Sequence, residues 1–183
     1  MTDLAIIIQG CINNDRLCQE KLYMKFYQSL YALCHRFFDD EQEVVTALNN
    51  GMLRVFKNIG QYDKTKSELL TWIYAIVRHE ALTVIRNQKT AMVTQELMVD
   101  MPVEVMSNPF IQTKEQDVYV YLSALTNTTR AVCTLFYIEG YSIKEIAISL
   151  DMKEGTVKWH LSDGRKRLQS IFNPNDNRIA NAK

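Results

Sequence analysis

Proline, glycine and long apolar stretches are all scarce in this chain of 183 residues. Its three prolines (Pro102, Pro109 and Pro174) all lie beyond residue 100, and it has only six glycines. The first hundred residues therefore contain no proline to break a helix. The longest uninterrupted apolar run, residues 72–77, is much shorter than the roughly 20 residues that a membrane-spanning helix needs. We expect no membrane insertion.

Cysteine and histidine are also few, and they form no ligand pattern. The four cysteines (Cys11, Cys18, Cys34 and Cys133) contain no CxxC pair, and the three histidines are scattered. The sequence thus predicts neither a metal site nor a cofactor. The first ten residues lack the basic lead-in and apolar core of a signal peptide. Reduced thiols in the cytoplasm fit these observations best.

The formal net charge is zero, but the charges are unevenly distributed. Residues 1–90 carry +1, residues 91–120 carry −4, and residues 121–183 carry +3. Because phosphate contacts supply most non-specific affinity for nucleic acid, a neutral protein is not expected to hold DNA strongly on its own. If this protein contacts DNA, a partner supplies much of the binding.

Apolar residues recur at helical spacing through the first half of the chain. The three stripes are Leu22, Phe26, Leu30, Leu33 and Phe37; Val44, Leu48, Met52, Val55 and Ile59; and Leu70, Ile73, Val77, Ala81 and Val84. Polar residues 39–42 and 58–66 separate these stripes. Residues 1–88 are therefore predicted to form an all-helical domain of about four helices, the first of them short.

The helical pattern stops after residue 88. Residues 89–112 show no sustained period, contain two prolines, and carry Glu96, Asp100 and Glu104 without a basic neighbour until Lys114. A stretch of this length is unusual inside one compact domain, so we interpret it as an acidic, flexible linker. Helical patterns return at residues 114–125, 128–139, 142–150 and 156–172. The predicted fold class is thus all-α, with a second helical domain at residues 113–173 and a tail at 174–183.

The second domain contains the pattern of a helix-turn-helix. Residues 142–150 read S-I-K-E-I-A-I-S-L, followed by D-M-K-E and then by G-T-V-K-W-H-L. Ser142 is a favourable N-cap for the first helix, and Thr156 can cap the second. The second helix of such a motif enters the major groove of DNA. A helical hairpin that only packs against its own domain is the alternative.

The candidate DNA-contacting residues lie on the polar side of this second helix and in the turn before it. They are Lys153, Thr156, Lys158, Trp159, His160 and Arg165. Lys153, in the turn, is expected to meet phosphate, whereas Lys158, Trp159 and His160 are expected to face the groove. The buried stripe of the helix is predicted to be Val157, Leu161, Gly164, Leu168 and Ile171.

Residues 124–168 resemble region 4 of the sigma-70 family, in its compact extracytoplasmic-function (ECF) group. The segments that carry the resemblance are E-G-Y-S-I-K-E-I-A and E-G-T-V-K, which on their own also fit LuxR-type response regulators. Residues 40–59 and 69–86 resemble sigma regions 2.1–2.2 and 2.3–2.4 and decide between these two families. The resemblance covers residues 4–172. Within it, Asn49 and Asn50 replace a usual Gln-Glu pair, and Asp163 and Gly164 interrupt a normally basic stretch.

The resemblance implies a factor that binds core RNA polymerase and directs it to promoter DNA, with an anti-sigma factor as a further partner. Region 2 would melt the −10 element and region 4 would read the −35 element. Flipped bases would be captured by Tyr62, Trp72, Tyr74 and a loop with Lys64 and Lys66, because stacking replaces what the duplex loses. The residues that follow the DNA backbone would be Arg78, His79 and Arg86. The residues that bind the polymerase would be Thr46, Asn49, Asn50 and Leu53.

Two other classes of protein are alternatives to this interpretation. A stand-alone helix-turn-helix regulator would need a receiver or ligand-binding domain, and residues 1–88 show no alternating strands for a receiver. An enzyme would need a catalytic motif, and no nucleophile elbow, phosphate loop or HExxH is present. Trp72 can equally be an ordinary core aromatic, and the basic residues of its helix can form a solvated face. The sequence therefore predicts a non-enzymatic sigma factor.

Overall fold

The structure is a computed structural model that describes residues 4–91 and 115–172. Within these ranges every regular element is helical, which confirms the predicted all-α class. The chain divides into two compact units, Met1–Val84 and Ile85–Lys183. Most of the predicted linker, and the whole predicted tail, lie outside the described residues. Among the helices of the described ranges, none is long and apolar enough to cross a membrane.

The first unit is built from helices α1 (Leu4–Ile12), α2 (Arg16–His35), α3 (Glu41–Asn58) and the start of α4 (Leu69–Ala91), with a 3₁₀ turn at Ile59–Gln61. Aspartates begin two of the helices. Asp15 accepts a hydrogen bond from the backbone N–H of Leu17 at 2.8 Å, and Asp40 accepts one from Gln42 at 2.8 Å. Each carboxylate satisfies an N–H that has no partner within the helix, which fixes where α2 and α3 begin.

The core of the first unit follows the predicted stripes of α2 and α3 closely. Nearly all of those residues are buried, among them Leu22, Leu48 and Met52. On α4 the prediction is wrong at its first position: Leu69 is buried, and Leu70 is 37% exposed. Both leucines fit the helical spacing to Ile73, Leu69 at four residues and Leu70 at three, and the packing of the first turn of α4 buries Leu69.

Helices α3 and α4 approach each other closely at Gly51. A Cβ atom on Gly51 would lie 2.9 Å from the Cα of Val77. This distance is shorter than side-chain and backbone atoms normally tolerate, so only glycine lets the two backbones come this near. The close approach helps to fix the face of α3 that points away from α4.

The second unit contains α5 (Glu115–Ser123), α6 (Asn127–Cys133), α7 (Ile143–Ser149) and α8 (Glu154–Phe172), in addition to the end of α4. The predicted helix at residues 128–139 is divided, because Thr134–Ile138 form a wider π-helical turn after α6. Gly140 ends that turn at a φ of +74°, which a residue without a Cβ adopts without strain.

An arginine and a glycine organise the interior of the second unit. Arg130 is 2% exposed, and its Nε donates to the backbone oxygen of Leu122 at 2.7 Å, near the end of α5. Gly164 brings α8 against α6, since a Cβ there would lie 2.5 Å from the sulfur of Cys133. The predicted buried stripe of α8 holds at Val157, Leu161, Gly164 and Leu168. It is wrong at Ile171, which is 40% exposed one residue before α8 ends.

Candidate nucleic-acid and polymerase interfaces

Helices α7 and α8 form the helix-turn-helix of the second unit. Ser142 caps α7 in a reciprocal arrangement: its hydroxyl oxygen accepts a bond from the backbone N–H of Glu145 at 3.3 Å, and its own backbone N–H donates to the Glu145 carboxylate at 2.8 Å. The Ser142 hydroxyl also donates to that carboxylate, at 2.7 Å. The hydroxyl bond, and then the backbone bond, lower the pKa of Glu145. Asp151, at a φ of +48°, lies in the turn between the two helices. At the end of α7, the backbone N–H of Met152 donates to the Ala147 oxygen at 3.0 Å, so local bonds fix the motif at both ends of this helix.

Helix α8 begins two residues earlier than the sequence predicted. It starts at Glu154, so Thr156 lies in its first turn and does not cap it. The prediction of a Thr156 cap is therefore wrong. The reason is that the backbone N–H of Val157 already bonds to the backbone oxygen of Lys153, at 3.1 Å.

The start of α8 separates a buried face from an open one. Val157 and Leu161 are fully buried. On the open side, Lys153 is exposed, Lys158 is half-buried, and the ring of Trp159 is 37% exposed. The first turns of α8 therefore offer two cations and one indole ring for contact with a partner.

Two of the predicted DNA-contacting side chains point toward their own domain. The Nδ1 of His160 lies 2.9 Å from the hydroxyl of Thr129 on α6. The guanidinium of Arg165 has its Nε and Nη2 atoms buried, next to Tyr137. Burial raises the pKa of Tyr137, and the interaction of its hydroxyl with the Arg165 guanidinium partly offsets that rise. Both side chains thus contact the residues on which α8 packs.

The basic run at residues 165–167 presents less charge than its sequence suggests. The Nε of Arg167 donates to the Asp163 carboxylate at 2.9 Å, one turn earlier on α8. Lys166 is exposed. Since Arg165 is turned inward and Arg167 is paired with an acid, the outward charge of this run comes mainly from Lys166.

The candidate −10 residues Tyr62, Lys64, Lys66 and Trp72 meet around the loop before α4. The rings of Tyr62 and Trp72 lie 5.6 Å apart between centroids, and both residues are half-buried. The Tyr62 hydroxyl donates to the backbone oxygen of Ser67 at 3.0 Å, which ties the loop together. Lys64 and Lys66 are exposed. The loop therefore combines an aromatic pair with two cations.

The candidate backbone-following residues on α4 are spread along one helix. His79 is exposed, and Arg78 and Arg86 are half-buried. The Arg78 guanidinium carbon lies 5.8 Å from the ring centroid of Tyr74, whose hydroxyl accepts a hydrogen bond from Arg36 at 3.2 Å. Tyr74, which the sequence placed beside Trp72 as a base-capturing candidate, is thus held by residues of its own unit.

The candidate polymerase-binding residues share one face of α3. Thr46, Asn49, Asn50 and Leu53 follow the spacing i, i+3, i+4, i+7 and are all exposed, Leu53 to 59%. Beside them, Arg54 pairs with Glu80 of α4 at 2.7 Å. A single exposed leucine is ordinary on a protein surface, so the assignment of this face to polymerase binding depends mainly on the family resemblance.

Sequence reasoning missed one contact of this face. The Tyr23 hydroxyl on α2 donates to Oδ1 of Asn49 at 2.9 Å. Tyr23 begins a series of neighbouring rings at every fourth residue, Tyr23, Tyr27, Tyr31 and His35, with centroids 5.6 to 6.0 Å apart. That spacing is visible in the sequence and could have placed these rings on one side of α2.

Comparison with known proteins identifies the two units. A family model described as Sigma-70 region 2 matches residues 22–90, and one described as Sigma-70, region 4 matches residues 115–168. The ECF RNA polymerase sigma factor SigX of Bacillus subtilis is 28% identical over 81% of this chain and 80% of its own length. SigM of the same organism is 21% identical over 84% of this chain and 94% of its own length. The chain belongs to the ECF group of the sigma-70 family.

As an ECF sigma factor, the protein is a DNA-binding transcription initiation factor. The resemblance noted in the sequence is thereby confirmed. Among solved structures, the sigma factor RpoE of Bartonella quintana, crystallised with the anti-sigma factor NepR, matches with a TM-score of 0.48. That match covers 85% of this chain and 97% of RpoE, at 19% sequence identity.

Proposed function

We propose that this sigma factor binds core RNA polymerase through α3 of its first unit and directs the polymerase to promoters. The observation that carries the proposal is the exposed α3 face formed by Thr46, Asn49, Asn50 and Leu53. A surface leucine that is 59% exposed gains from burial against a partner. Both partners, core polymerase and promoter DNA, are those that the family resemblance implies.

The −35 element is read by the start of α8. Lys158 and Trp159 stand at the open side of the recognition helix, and Lys153 and Thr156 precede them. A lysine can donate to base edges or phosphates, and an indole can contact a thymine methyl group. His160 and Arg165 act on DNA through the position of α8, because their polar atoms contact or adjoin Thr129 and Tyr137.

The −10 element is melted at the loop before α4. Tyr62 and Trp72 supply ring faces for an unstacked base, and Lys64 and Lys66 supply charge for the phosphates around it. The backbone of the same DNA strand is followed by basic residues along α4, namely Arg78, His79 and Arg86. The chemistry of RNA synthesis belongs to the polymerase, so the sigma factor itself is not an enzyme.

A stand-alone regulator is the competing function, and DNA binding with and without core polymerase separates the two. Because the net charge is zero and residues 121–183 carry only +3, the free protein should bind promoter DNA weakly at physiological salt. Addition of core polymerase should give tight, sequence-selective binding in a gel-shift assay. Sub-micromolar specific binding by the free protein would favour the stand-alone regulator.

An anti-sigma factor is the third partner that we propose, on the strength of the family resemblance. Such a partner would compete with core polymerase for the sigma factor. Affinity capture from cells, with the α3 variant Leu53→Asp as the comparison, would show which captured proteins depend on that face.

The proposed division of the chain gives each promoter element its own domain. Residues 1–88 would serve the −10 element and residues 113–173 the −35 element, with a linker at 89–112 and a tail at 174–183.

A further inference from the structure

We propose that Tyr23 is a positioning residue for polymerase binding, which holds the Asn49 amide with its N–H donors facing the polymerase. The inference rests on the proposed role of the α3 face. It adds a residue of α2 to that function and states the chemistry at one point of contact: core polymerase offers a hydrogen-bond acceptor to residue 49.

The geometry begins with the hydrogen bond between two helices. The Tyr23 hydroxyl lies 2.9 Å from Oδ1 of Asn49 and donates to it. An asparagine side chain has one acceptor oxygen and one NH₂ group with two donors. The bond turns the oxygen toward Tyr23 and uses one of its two lone pairs, whereas the NH₂ group, on the other side of the amide, keeps both donors for a partner. Asn49 is exposed, so these donors are accessible on the α3 face.

The position of Tyr23 is fixed by its own surroundings. Its ring is half-buried and lies 5.6 Å from that of Tyr27, one turn along α2. Burial, and then the neighbouring Tyr27, raise the pKa of Tyr23, so the phenol keeps its proton and remains a donor at neutral pH. A side chain that is already oriented loses less conformational entropy when its partner binds.

The arrangement also gives the Asn49 position a definite polarity. The resemblance places a Gln-Glu pair where this chain has Asn49 and Asn50. Position 49 of that pair is also an amide, and the carboxylate falls at Asn50; what this chain adds is the Tyr23 bond, which turns the Asn49 oxygen toward α2 and its NH₂ donors away from Tyr23. The facing group of the polymerase is therefore a carboxylate or a carbonyl oxygen.

A double-mutant cycle on the affinity for purified core polymerase tests the inference. Tyr23→Phe removes only the hydroxyl, and it should raise the Kd of the full-length protein by about three- to tenfold, the usual effect of one hydrogen bond. Asn49→Ala should raise the Kd at least as much. Tyr23→Phe should have no further effect in the Asn49→Ala background, because there is no amide left to position.

Two further variants make the comparison specific. Tyr27→Phe is the matched control, since it removes a hydroxyl from the neighbouring ring and should leave the Kd within twofold of the wild-type value. Asn49→Asp retains the acceptor for Tyr23 but replaces the outward donor by a charged acceptor, so it should weaken binding more than Asn49→Ala. Thermal melting should show that Tyr23→Phe leaves the Tm within a few degrees of the wild-type value. A purely structural role of Tyr23 would instead raise the Kd and lower the Tm together, both with and without Asn49.

The outcomes separate this inference from the function on which it rests. If Leu53→Ala weakens polymerase binding while Tyr23→Phe does not, the α3 face stands and the positioning role of Tyr23 is wrong. Equal effects of Tyr23→Phe with and without Asn49 would also overturn it. If neither Leu53→Ala nor Asn49→Ala changes the Kd, the proposed polymerase face fails, and the inference fails with it.

Discussion

Asp163 determines how much of the basic run at the end of α8 is available to DNA. Its carboxylate accepts the Nε bond of Arg167 at 2.9 Å, and side chains one turn apart on a helix pair readily. An exposed pair of this kind adds little to stability. Its effect on function is larger, because a guanidinium held by a carboxylate is less available to a phosphate.

The variant Asp163→Asn should release Arg167 for one more phosphate contact. We expect promoter affinity of the holoenzyme to rise, and the slope of log K against log salt to steepen by about 0.9. The measurement is a salt titration of promoter binding. Asp163→Glu retains the charge and the one-turn spacing, so it serves as the matched control and should behave like the wild type.

The role of Arg167 in that change can be isolated. In an Arg167→Ala background, Asp163→Asn has no guanidinium to release and should leave the slope unchanged. An equal steepening in both backgrounds would mean that the Asp163 charge itself repels DNA and that the ion pair is irrelevant.

The Cys34 thiol links stability to pH. Burial raises the pKa of Cys34 from its usual value of 9.0 to about 12, and the residue is fully buried. Because the folded pKa is the higher one, the thiol's contribution is present in full below pH 9 and is lost as pH rises toward the folded value. By pH 10 the wild type should lose about 1.4 kcal/mol through this group relative to neutral pH.

Urea unfolding at pH 7.5 and at pH 10 measures this loss. Cys34→Ala is expected to be less stable at both values because it leaves a cavity. Between the two pH values, however, its unfolding free energy should fall by about 1.4 kcal/mol less than that of the wild type. Equal losses of unfolding free energy in the wild type and in Cys34→Ala would show that the Cys34 thiol does not titrate in the unfolded chain as described.

At the scale of elements, close helix packing depends on small residues. Gly51→Ala would place a Cβ 2.9 Å from the Val77 Cα, so α3 and α4 would have to separate. Small-to-large changes in packed sites cost about 1–3 kcal/mol. We expect a corresponding fall in the thermal midpoint, measured by circular dichroism at 222 nm.

Gly155→Ala is the control for the glycine prediction. Gly155 also lies in a helix, but no atom is found within 4 Å of its added Cβ among the described residues. Alanine favours a helix over glycine by up to about 1 kcal/mol, so this variant should be as stable as the wild type or more so. Equal destabilisation by both changes would contradict the close α3–α4 contact.

The two faces of α8 should separate DNA reading from folding. Leu161→Ala removes a fully buried side chain and should destabilise the protein by about 2–5 kcal/mol. Lys158→Ala should leave the melting curve unchanged and cost about 1–3 kcal/mol in promoter binding if the lysine contacts a base. If Lys158→Ala alters neither promoter activity nor its salt dependence, α8 does not read the −35 element through this residue.

The sequence predicts the helices better than their exact faces and ends. The apolar repeats of α2 and α3 identify the core correctly at every position except Phe26, which is half-buried, because the same helix face meets the core along its whole length. The error at Leu70 arises because adjacent leucines fit the pattern equally well until tertiary packing selects Leu69. The error at Thr156 arises because a threonine that can cap a helix also fits inside its first turn.

At the scale of the whole molecule, the protein is two helical units with a separate task proposed for each. The sequence finds the residue types for each task, but a one-dimensional pattern does not show what a side chain contacts inside its own domain. His160 and Arg165 have the composition of DNA-contacting residues, and only the fold shows them against Thr129 and beside Tyr137. The Tyr23–Asn49 contact joins residues 26 apart, beyond the reach of helical periodicity.

The most direct test of the account is run-off transcription with purified core RNA polymerase on genomic promoter fragments. Core polymerase alone should give no discrete transcripts, and addition of this protein should give specific ones. Leu53→Asp should abolish them, because a charge on the exposed α3 face opposes docking on the polymerase. Transcription that is unchanged by the protein, or fully supported by the Leu53→Asp variant, would contradict the proposed assembly.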